Sequence, residues 1–257
     1  MSTTRSEPVL SVTGVRKSFG GFIAVDDVSF ELFSGEVLGI AGPNGAGKST
    51  VFNLVTGIPH GPDAGSVHLA GRRIDRLRPH TISRMGVRRT FQSESLFDSL
   101  SVAENIAVSQ AYAGVPRRKR RAESERLLEL TGLASTADAD ASELPLVSKK
   151  QLMIATALVG DPMVLLLDEP AGGLDEQDQH RLAELIATIN VECGVALVVI
   201  EHVLGLLRRV ANRLLVLTAG TVLAEGSPND VLADQRVAAA YLGGAANRAA
   251  APPAEGR

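Results

Sequence analysis

The stretch that decides the fold is a glycine-rich run, Gly42-Pro43-Asn44-Gly45-Ala46-Gly47-Lys48-Ser49-Thr50. It fits the pattern G-x-x-x-x-G-K-[ST], in which glycines let the backbone fold around a phosphate and the loop amides face the anion. The apolar run 37–41 before it predicts a strand. After it, Val51, Leu54 and Val55 have helical spacing. This context predicts a phosphate-binding P-loop rather than a glycine-rich turn that binds nothing.

Two acidic residues far along the chain complete the pattern that the loop begins. Asp168 and Glu169 directly follow the apolar run 164–167. A strand that ends in a carboxylate holds Mg²⁺ beside a P-loop, and the loop serine, here Ser49, is a second metal ligand. Asp168 is therefore predicted to lie on the metal side, and Glu169 to polarise an attacking water as general base. Lys48 would supply a point charge to the β- and γ-phosphates of a nucleotide.

Length, charge and cysteine content exclude several classes of protein. The chain has 257 residues, 45% of them hydrophobic, which suffices for one large domain or two small ones. The net charge of −3 argues against binding nucleic acid by bulk electrostatics, and the single cysteine cannot form an internal disulfide. Residues 1–8 lack the apolar core of a signal peptide, and no run reaches the ~18 apolar residues of a membrane span. We therefore expect a soluble protein of a reducing compartment.

The order of hydrophobic patterns predicts an α/β fold. Strand-like alternation or short apolar runs occur at residues 9–15, 25–32, 66–71, 163–167, 195–200 and 213–217. The pattern is helical within 102–158, where one helix is predicted at 149–158, and another helix is predicted at 178–190, between two apolar runs. Continuous apolar runs joined by a helix are typical of parallel strands covered on both faces. The tail at 243–257, rich in alanine, proline and glycine, is predicted to be disordered.

A run of five consecutive cations, Arg117 to Arg121, stands at the start of one predicted helix, 117–130. Two interpretations of this run remain open. A charged run of this kind is most often a solvated helix face. Alternatively, the run contacts anionic lipid, because clustered basic residues are attracted to negatively charged membrane surfaces.

The chain resembles the ATP-binding subunits of ABC transporters along nearly its whole length, and among them most of all the ATPases of branched-chain amino acid importers. The closer resemblance rests on Lys17-Ser18-Phe19-Gly20-Gly21 with Ala24-Val25, Arg89-Thr90-Phe91-Gln92 with Leu96-Phe97, Ile200-Glu201-His202, Gly220-Thr221, Glu225-Gly226-Ser227-Pro228 and Ala240-Tyr241-Leu242-Gly243. It implies a P-loop NTPase core of the RecA type with an N-terminal antiparallel β subdomain and an inserted α-helical subdomain. The core would comprise residues 1–92 and 163–242, and the helical subdomain 93–162.

The resemblance implies ATP and Mg²⁺ as ligands and gives roles to further residues. Phe19 would stack on adenine, which suits a flat base, although aromatic residues are often simply buried. Gln92 would reach Mg²⁺ and the attacking water, and would link the core to the helical subdomain. His202 would hydrogen-bond the γ-phosphate and orient the water, whereas a single histidine elsewhere is more often structural. The segment 171–175 would contact the opposite ATPase monomer.

The chain departs from the family at its signature motif. ABC ATPases carry Leu-Ser-Gly-Gly-Gln at the start of a helix, which closes over the nucleotide of the other subunit. The aligned residues here are Leu144-Pro145-Leu146-Val147-Ser148. Pro145 has neither hydroxyl nor N–H donor, and Leu146 and Val147 put side chains where backbone would approach a γ-phosphate. We expect a degenerate signature, with Lys149 and Lys150 either replacing part of the lost charge or standing as a solvated pair.

The implied function is ATP hydrolysis that drives import of branched-chain amino acids or a similar small polar or amphipathic solute. Because each site of such a dimer joins one chain's P-loop to the other chain's signature, we expect a second ATPase subunit with an intact signature. Two membrane permeases and, indirectly, a solute-binding protein would complete the importer on the cytoplasmic side of the plasma membrane, without nucleic acid. The alternatives are a regulatory or mechanical ABC-type ATPase outside transport, and a nucleotide-binding subunit with little hydrolysis.

Overall fold

The computed structural model describes residues 7–92 and 95–241, and the predicted disordered tail at 243–257 lies outside them. The strands are β1 Leu10–Phe19, β2 Phe22–Leu32, β3 Val37–Ala41, β4 Ala64–Leu69, β5 Arg72–Arg73, β6 Val87–Arg89, β7 Val164–Asp168, β8 Ala196–Ile200, β9 Arg213–Thr218 and β10 Thr221–Gly226. The α-helices are α1 Lys48–Thr56, α2 Pro79–Arg84, α3 Val102–Ala113, α4 Arg117–Leu130, α5 Leu146–Leu158, α6 Glu176–Cys193, α7 Leu204–Val210 and α8 Pro228–Ala233. The segment 235–241 is also helical.

One sheet is antiparallel and has four strands in the order β2-β1-β4-β5. Its strands β1 and β2 precede the P-loop in the chain, and β4 and β5 follow it. Strands β1 and β2 pair as a hairpin, from Leu10 opposite Leu32 to Phe19 opposite Phe22. Strand β1 therefore runs beyond the predicted range 9–15. This extension places Phe19 at the tip of the hairpin, where its side chain is exposed.

A six-stranded sheet in the order β10-β9-β3-β8-β7-β6 forms the centre of the molecule, and only β10 runs antiparallel to its neighbour. Every residue of β3, β7 and β8 is buried, as expected for parallel strands covered on both faces. The carboxyl ends of these parallel strands meet at one edge of the sheet, which is where open α/β sheets bind ligands. The P-loop follows β3, Asp168 ends β7, and His202 follows β8.

The buried strands divide their side chains between two hydrophobic cores. In β7, Val164 and Leu166 belong to the core shared with α1 and the antiparallel sheet. Leu165 and Leu167 belong to the other core, with α5, α6 and α7. This alternation of apolar side chains on both faces is why residues 164–167 of β7 are continuously hydrophobic.

Helices α3, α4 and α5 are inserted in the chain between β6 and β7. Helix α3 begins with a capping box, in which Ser101 and Glu104 satisfy each other's backbone N–H groups. Helix α4 has the predicted bounds, 117–130, so the cationic run occupies its first turns. Helix α5 begins at Leu146, earlier than the predicted start at 149. The subdomain boundaries at 92–93 and 162–163 stay a prediction.

Candidate active site

The P-loop connects β3 to α1 through backbone conformations that require glycine. Gly42 has φ 144° and Gly47 has φ 99°. A Cβ on Gly42 would lie 2.2 Å from the carbonyl oxygen of Leu217, and one on Gly47 would lie 2.5 Å from that of Ala24. The loop is therefore packed against the strands behind it, and no side chain fits at either position.

Lys48 is buried at the start of α1 and folds back onto the loop. Its Nζ donates to the carbonyl oxygens of Gly42 at 2.8 Å and Pro43 at 3.0 Å. Burial lowers the pKa of Lys48, while the carboxylates of Glu169 and Asp168 act in the opposite direction. A phosphate in the loop would give this partly desolvated ammonium a stronger partner than two carbonyl groups.

Asp168, the last residue of β7, and Glu169, which follows it, lie in different environments. Asp168 is buried, its N–H donates to Oγ1 of Thr90 at 3.3 Å, and its Oδ2 lies 2.6 Å from Nη2 of Arg89. Among the described residues, its Oδ1 has no hydrogen-bond partner. Glu169 has φ 46°, a left-handed conformation that is unusual for a residue with a side chain. Such backbone strain clusters at functional sites, and here it turns the chain sharply between the two acids.

Glu169 is surrounded by the other two residues that were predicted to act in catalysis. Nε2 of Gln92 donates to Oε2 of Glu169 at 2.9 Å. Nδ1 of His202 lies 3.8 Å from the same carboxylate oxygen and 3.7 Å from Oε2 of Glu201. Gln92 and His202 therefore approach Glu169 from different segments of the chain.

Glu201 is fully buried beside this group and holds the backbone of two loops. It accepts hydrogen bonds from the N–H groups of Ala171, His202 and Val203. Burial raises the pKa of Glu201, although these three donors oppose the shift. The sequence motif Ile200-Glu201-His202 had been noted, but nothing in it assigned this positioning role to Glu201.

An open cleft of about 670 Å³ collects most of the predicted site residues. Its lining consists of Phe19, Phe22, Ala24, Asn44, Gly45, Ala46, Gly47, Lys48, Ser49, Thr50, Gln92, Glu169 and His202. Three predicted residues are outside this lining: Gly42 and Pro43 receive the ammonium of Lys48, and Asp168 is buried. Phe22 is an exposed aromatic residue of the cleft to which the sequence had assigned no function.

The residues of the cleft fit a nucleotide and a hard cation. The glycine loop leaves its backbone open to an anion, and the cleft carries the hydroxyl of Ser49 and the amide of Gln92. Carboxylate, hydroxyl and amide oxygens are the ligands that Mg²⁺ prefers. The buried and unpartnered Oδ1 of Asp168 is the acceptor that such a cation, or water bound to it, would satisfy.

Comparison with known proteins agrees with this geometry. Residues 25–172 match the family model described as ABC transporter. The chain belongs to the ABC transporter family. A second match, described as branched-chain amino acid ATP-binding cassette transporter, covers residues 221–247. The chain is accordingly an ATPase subunit of an ABC transporter, as its resemblance implied.

Two branched-chain amino acid transport proteins match this ABC subunit over almost their full length. The high-affinity branched-chain amino acid transport ATP-binding protein LivG of Salmonella typhimurium is 39% identical over 253 residues, covering 93% of this chain and 99% of LivG. The corresponding BraF of Pseudomonas aeruginosa is 36% identical over the same shares. A crystal structure of an ATP-binding cassette of an ABC transporter in its ADP conformation has a TM-score of 0.84 and 28% identity, covering 93% of this chain and 100% of that one. The predicted P-loop NTPase fold is confirmed.

The segment 144–148, which was predicted to correspond to the ABC signature, lies at the start of helix α5. Pro145 is the N-cap residue and supplies no side-chain hydrogen bond to the helix. Leu146 is 37% exposed at the first turn, whereas Val147 is buried. The start of α5 therefore presents an apolar side chain where the family motif has glycine.

A second cavity of this ABC subunit lies beside the segment 87–91, which leads into Gln92. It measures about 420 Å³ and is lined by residues of α2, α3, α5 and the segment 87–91. Phe97 and Tyr112 line it and are each more than half exposed. Helix α4, with its cationic first turns, starts shortly after Tyr112. In the described part of the chain, every helix is too short or too polar to cross a membrane.

Proposed function

We propose that this chain is the Mg²⁺-dependent ATP-hydrolysing subunit of an importer for branched-chain amino acids or a similar small polar or amphipathic solute. The observation that carries the proposal is the convergence of Lys48, Gln92, Glu169 and His202 on one cleft at the carboxyl edge of a parallel sheet. The choice of solute follows LivG and BraF, which are branched-chain amino acid transport proteins of similar length.

Binding of ATP follows from the loop and the hairpin tip. The triphosphate would occupy the loop 42–50, with its amides and Lys48 around the β- and γ-phosphates. Lys48 would exchange the two carbonyl groups that it now contacts for phosphate oxygens. The exposed ring of Phe19 lines the same cleft and is available to stack on adenine. Ser49, Asp168 and Gln92 would hold Mg²⁺, which neutralises charge on the phosphates.

Hydrolysis needs a water held in line with the γ-phosphate. Glu169 would take a proton as the water oxygen bonds to phosphorus, while the bond from phosphorus to the bridging oxygen breaks and ADP leaves. Gln92 already donates to Glu169 and so fixes the direction of its carboxylate. His202, near the same carboxylate, would hydrogen-bond the γ-phosphate and orient the water.

The altered signature supports a low hydrolysis rate for the isolated chain. In a dimer of identical chains, each nucleotide would face Pro145, Leu146 and Val147 of the other copy instead of a hydroxyl and close backbone. Losing charge-assisted donors in a dry site costs about 1–3 kcal/mol each. We therefore propose that the chain works beside a second ATPase whose signature is intact, and that the site formed by this chain's P-loop is the competent one.

The apolar cavity beside the Gln92 segment supports a permease as the membrane partner. Exposed aromatic residues at a groove are typical of protein interfaces, and Phe97 and Tyr112 supply them here. A permease segment seated in the groove would contact residues 88–91, which continue directly into Gln92. This arrangement would hold the chain peripherally on the cytoplasmic side of the plasma membrane.

Transport by the assembled importer tests the proposal. The chain, its second ATPase and the two permeases are reconstituted in vesicles, and leucine uptake and ATP hydrolysis are measured with the solute-binding protein present. Glu169→Gln should lower hydrolysis by about 10²–10⁴-fold, because the general base is lost, and should abolish uptake. Glu129→Gln, an exposed glutamate on α4, serves as the matched control. Near wild-type activity of Glu169→Gln would place the competent site on the partner.

The signature argument has its own test in the isolated chain. The triple change Pro145→Ser, Leu146→Gly and Val147→Gly returns a hydroxyl, one N–H donor and close backbone approach. The rate of ATP hydrolysis per chain should rise and should increase with protein concentration, because two copies must meet to form a site. A rapid rate for the unaltered chain alone would contradict the degenerate signature.

A further inference from the structure

A cation with no part in the proposed mechanism lies against the metal carboxylate. Arg89 is the last residue of β6, and its Nη2 is 2.6 Å from Oδ2 of Asp168 at the end of the neighbouring strand β7. Only 7% of the Arg89 side chain and 3% of the Asp168 side chain are exposed. This is a buried ion pair, in which loss of either partner strands a charge in the protein interior.

Contacts around Arg89 fix its guanidinium in one place. Nη1 donates to Oδ1 of Asn53 at 2.7 Å, on the helix that follows the P-loop. The rings of Phe52 and Phe91 lie 5.4 Å and 5.1 Å from the guanidinium carbon, within range of cation–π attraction. The side chain is therefore held by α1 and by the segment that leads to Gln92, as well as by Asp168.

The ion pair divides the two oxygens of Asp168 between different tasks. Oδ2 is occupied by Arg89, while Oδ1 is buried and has no partner within residues 7–92 and 95–241. The guanidinium of Arg89 also offsets the charge of Asp168, and Lys48 lies near both Asp168 and Glu169. A divalent cation that arrives alone would therefore meet a carboxylate whose charge is already offset by Arg89.

We propose that Arg89 is the permanent counter-cation of Asp168, a positioning residue that leaves Oδ1 for the metal and makes the site take Mg²⁺ only together with a nucleotide. The triphosphate brings negative charge that Arg89 does not offset, so metal and nucleotide bind as a unit. Without Arg89, the uncompensated Asp168 would attract Mg²⁺ by itself. This inference rests on the proposed function, because it concerns the same metal site.

Thermal unfolding of the purified full-length chain tests the inference without any activity assay. The melting temperature is measured in EDTA, with MgCl₂ alone, and with MgCl₂ and ATP. The wild type should be stabilised by Mg-ATP and not by Mg²⁺ alone. Arg89→Met should melt about 6–20 °C lower in EDTA, because a buried carboxylate is stranded. Mg²⁺ alone should then raise its melting temperature by about 5 °C or more.

Matched variants separate the contact from general effects of charge. Arg89→Lys keeps the positive charge but loses the two-armed contact with Asn53 and Asp168, so it should melt below the wild type and still gain no response to Mg²⁺ alone. Lys150→Met removes another buried cation, which lines a small cavity with Asp168 but makes no ion pair with it in the described part of the chain, and should gain no response to Mg²⁺. The double change Arg89→Met and Asp168→Asn should lose the response, and should be more stable than Asp168→Asn alone.

The outcomes distinguish this inference from the proposed function. If Mg-ATP does not stabilise the wild type, the proposed nucleotide and metal site is wrong. If Mg-ATP stabilises the wild type and Arg89→Met responds to Mg²⁺ no more than the wild type does, only the role of Arg89 is overturned. A response of the wild type or of Lys150→Met to Mg²⁺ alone overturns it as well. Should Arg89→Met fail to fold, Arg89→Gln is measured in its place, with the same decision, because it removes the charge and keeps donors for Asp168 and Asn53.

Discussion

Tyr241→Phe removes one hydroxyl from the far end of the described chain and should loosen the P-loop. The hydroxyl of Tyr241 accepts a hydrogen bond of 2.7 Å from the N–H of Gly42, the first residue of the loop. Gly42 is buried, so its N–H would be left without a partner. An unsatisfied buried donor costs about 1–3 kcal/mol. For a domain of this size that corresponds to a fall in melting temperature of about 2–12 °C.

The other tyrosine of the chain supplies the control for this measurement. Tyr112 is 53% exposed in the apolar groove, so Tyr112→Phe removes the same atom from a solvated position. Both variants keep their aromatic rings, and their melting temperatures are compared with and without Mg-ATP. We expect a shift only for Tyr241→Phe, together with weaker ATP binding, by about tenfold for each 1.4 kcal/mol lost from loop organisation. Equal melting temperatures for the two variants would refute the assignment of Tyr241 as an anchor of the loop.

Two further changes address the loop itself. Lys48→Ala should abolish binding of a fluorescent ATP analogue, because the charge that would face the β- and γ-phosphates is lost, whereas the exposed Lys119→Ala should bind as the wild type does; unchanged affinity for Lys48→Ala would contradict the P-loop assignment. Gly47→Ala should melt lower than Gly45→Ala: both positions have positive φ, which costs about 1–2 kcal/mol for alanine, but only at Gly47 would the new Cβ overlap the carbonyl of Ala24. Equal melting temperatures would show that the loop yields at this contact.

The sequence predicts those parts of the fold whose residue types are compatible with only one kind of structure. Strands β3, β7 and β8 are continuously apolar because both faces are buried, and α4 begins after Pro116, a residue common at helix starts. The sequence does not predict strand β6, because the strand is short and two of its three residues are Arg88 and Arg89. Specific contacts of the two arginine side chains take the place of apolar packing there, and a hydrophobic pattern cannot reveal such contacts. For helix α5 the sequence predicts a start at 149, later than the observed start at Leu146, because residues 144–148 depart from the family pattern.

In the candidate site, too, some features can be predicted from the sequence and others cannot. The loop residues and the acids after β7 could be predicted because each lies in a contiguous motif whose chemistry depends on local geometry. The contacts that hold them could not, because they join distant segments: 199 residues separate Gly42 from Tyr241, and 79 separate Arg89 from Asp168. Such pairs are brought together by the strand order of the sheet. Arg89 and Tyr241 each belong to a short motif of the sequence, yet the residues that they contact are known only from the structure.

The altered signature also has a structural role within its own chain, which bears on how its restoration is interpreted. A Cβ on Gly173 would lie 3.0 Å from Cδ2 of Leu146, so the leucine side chain packs against the loop 171–175, which is predicted to contact the opposite monomer. The other end of this loop is held by Glu201, through the N–H of Ala171. Leu146→Gly would remove the contact with Gly173.

We therefore expect the restored triple variant to gain hydrolysis and to lose stability at the same time. The loss should be about 2–5 kcal/mol, because Val147 is buried in the core, Leu146 is partly buried, and each new glycine adds backbone entropy to the unfolded chain. Melting temperatures of the triple variant and of the double variant Pro145→Ser, Val147→Gly isolate Leu146, since only the triple variant removes the contact with Gly173. If the triple variant is as stable as the double variant, Leu146 does not support the loop, and its substitution acts only on the nucleotide of the opposite subunit.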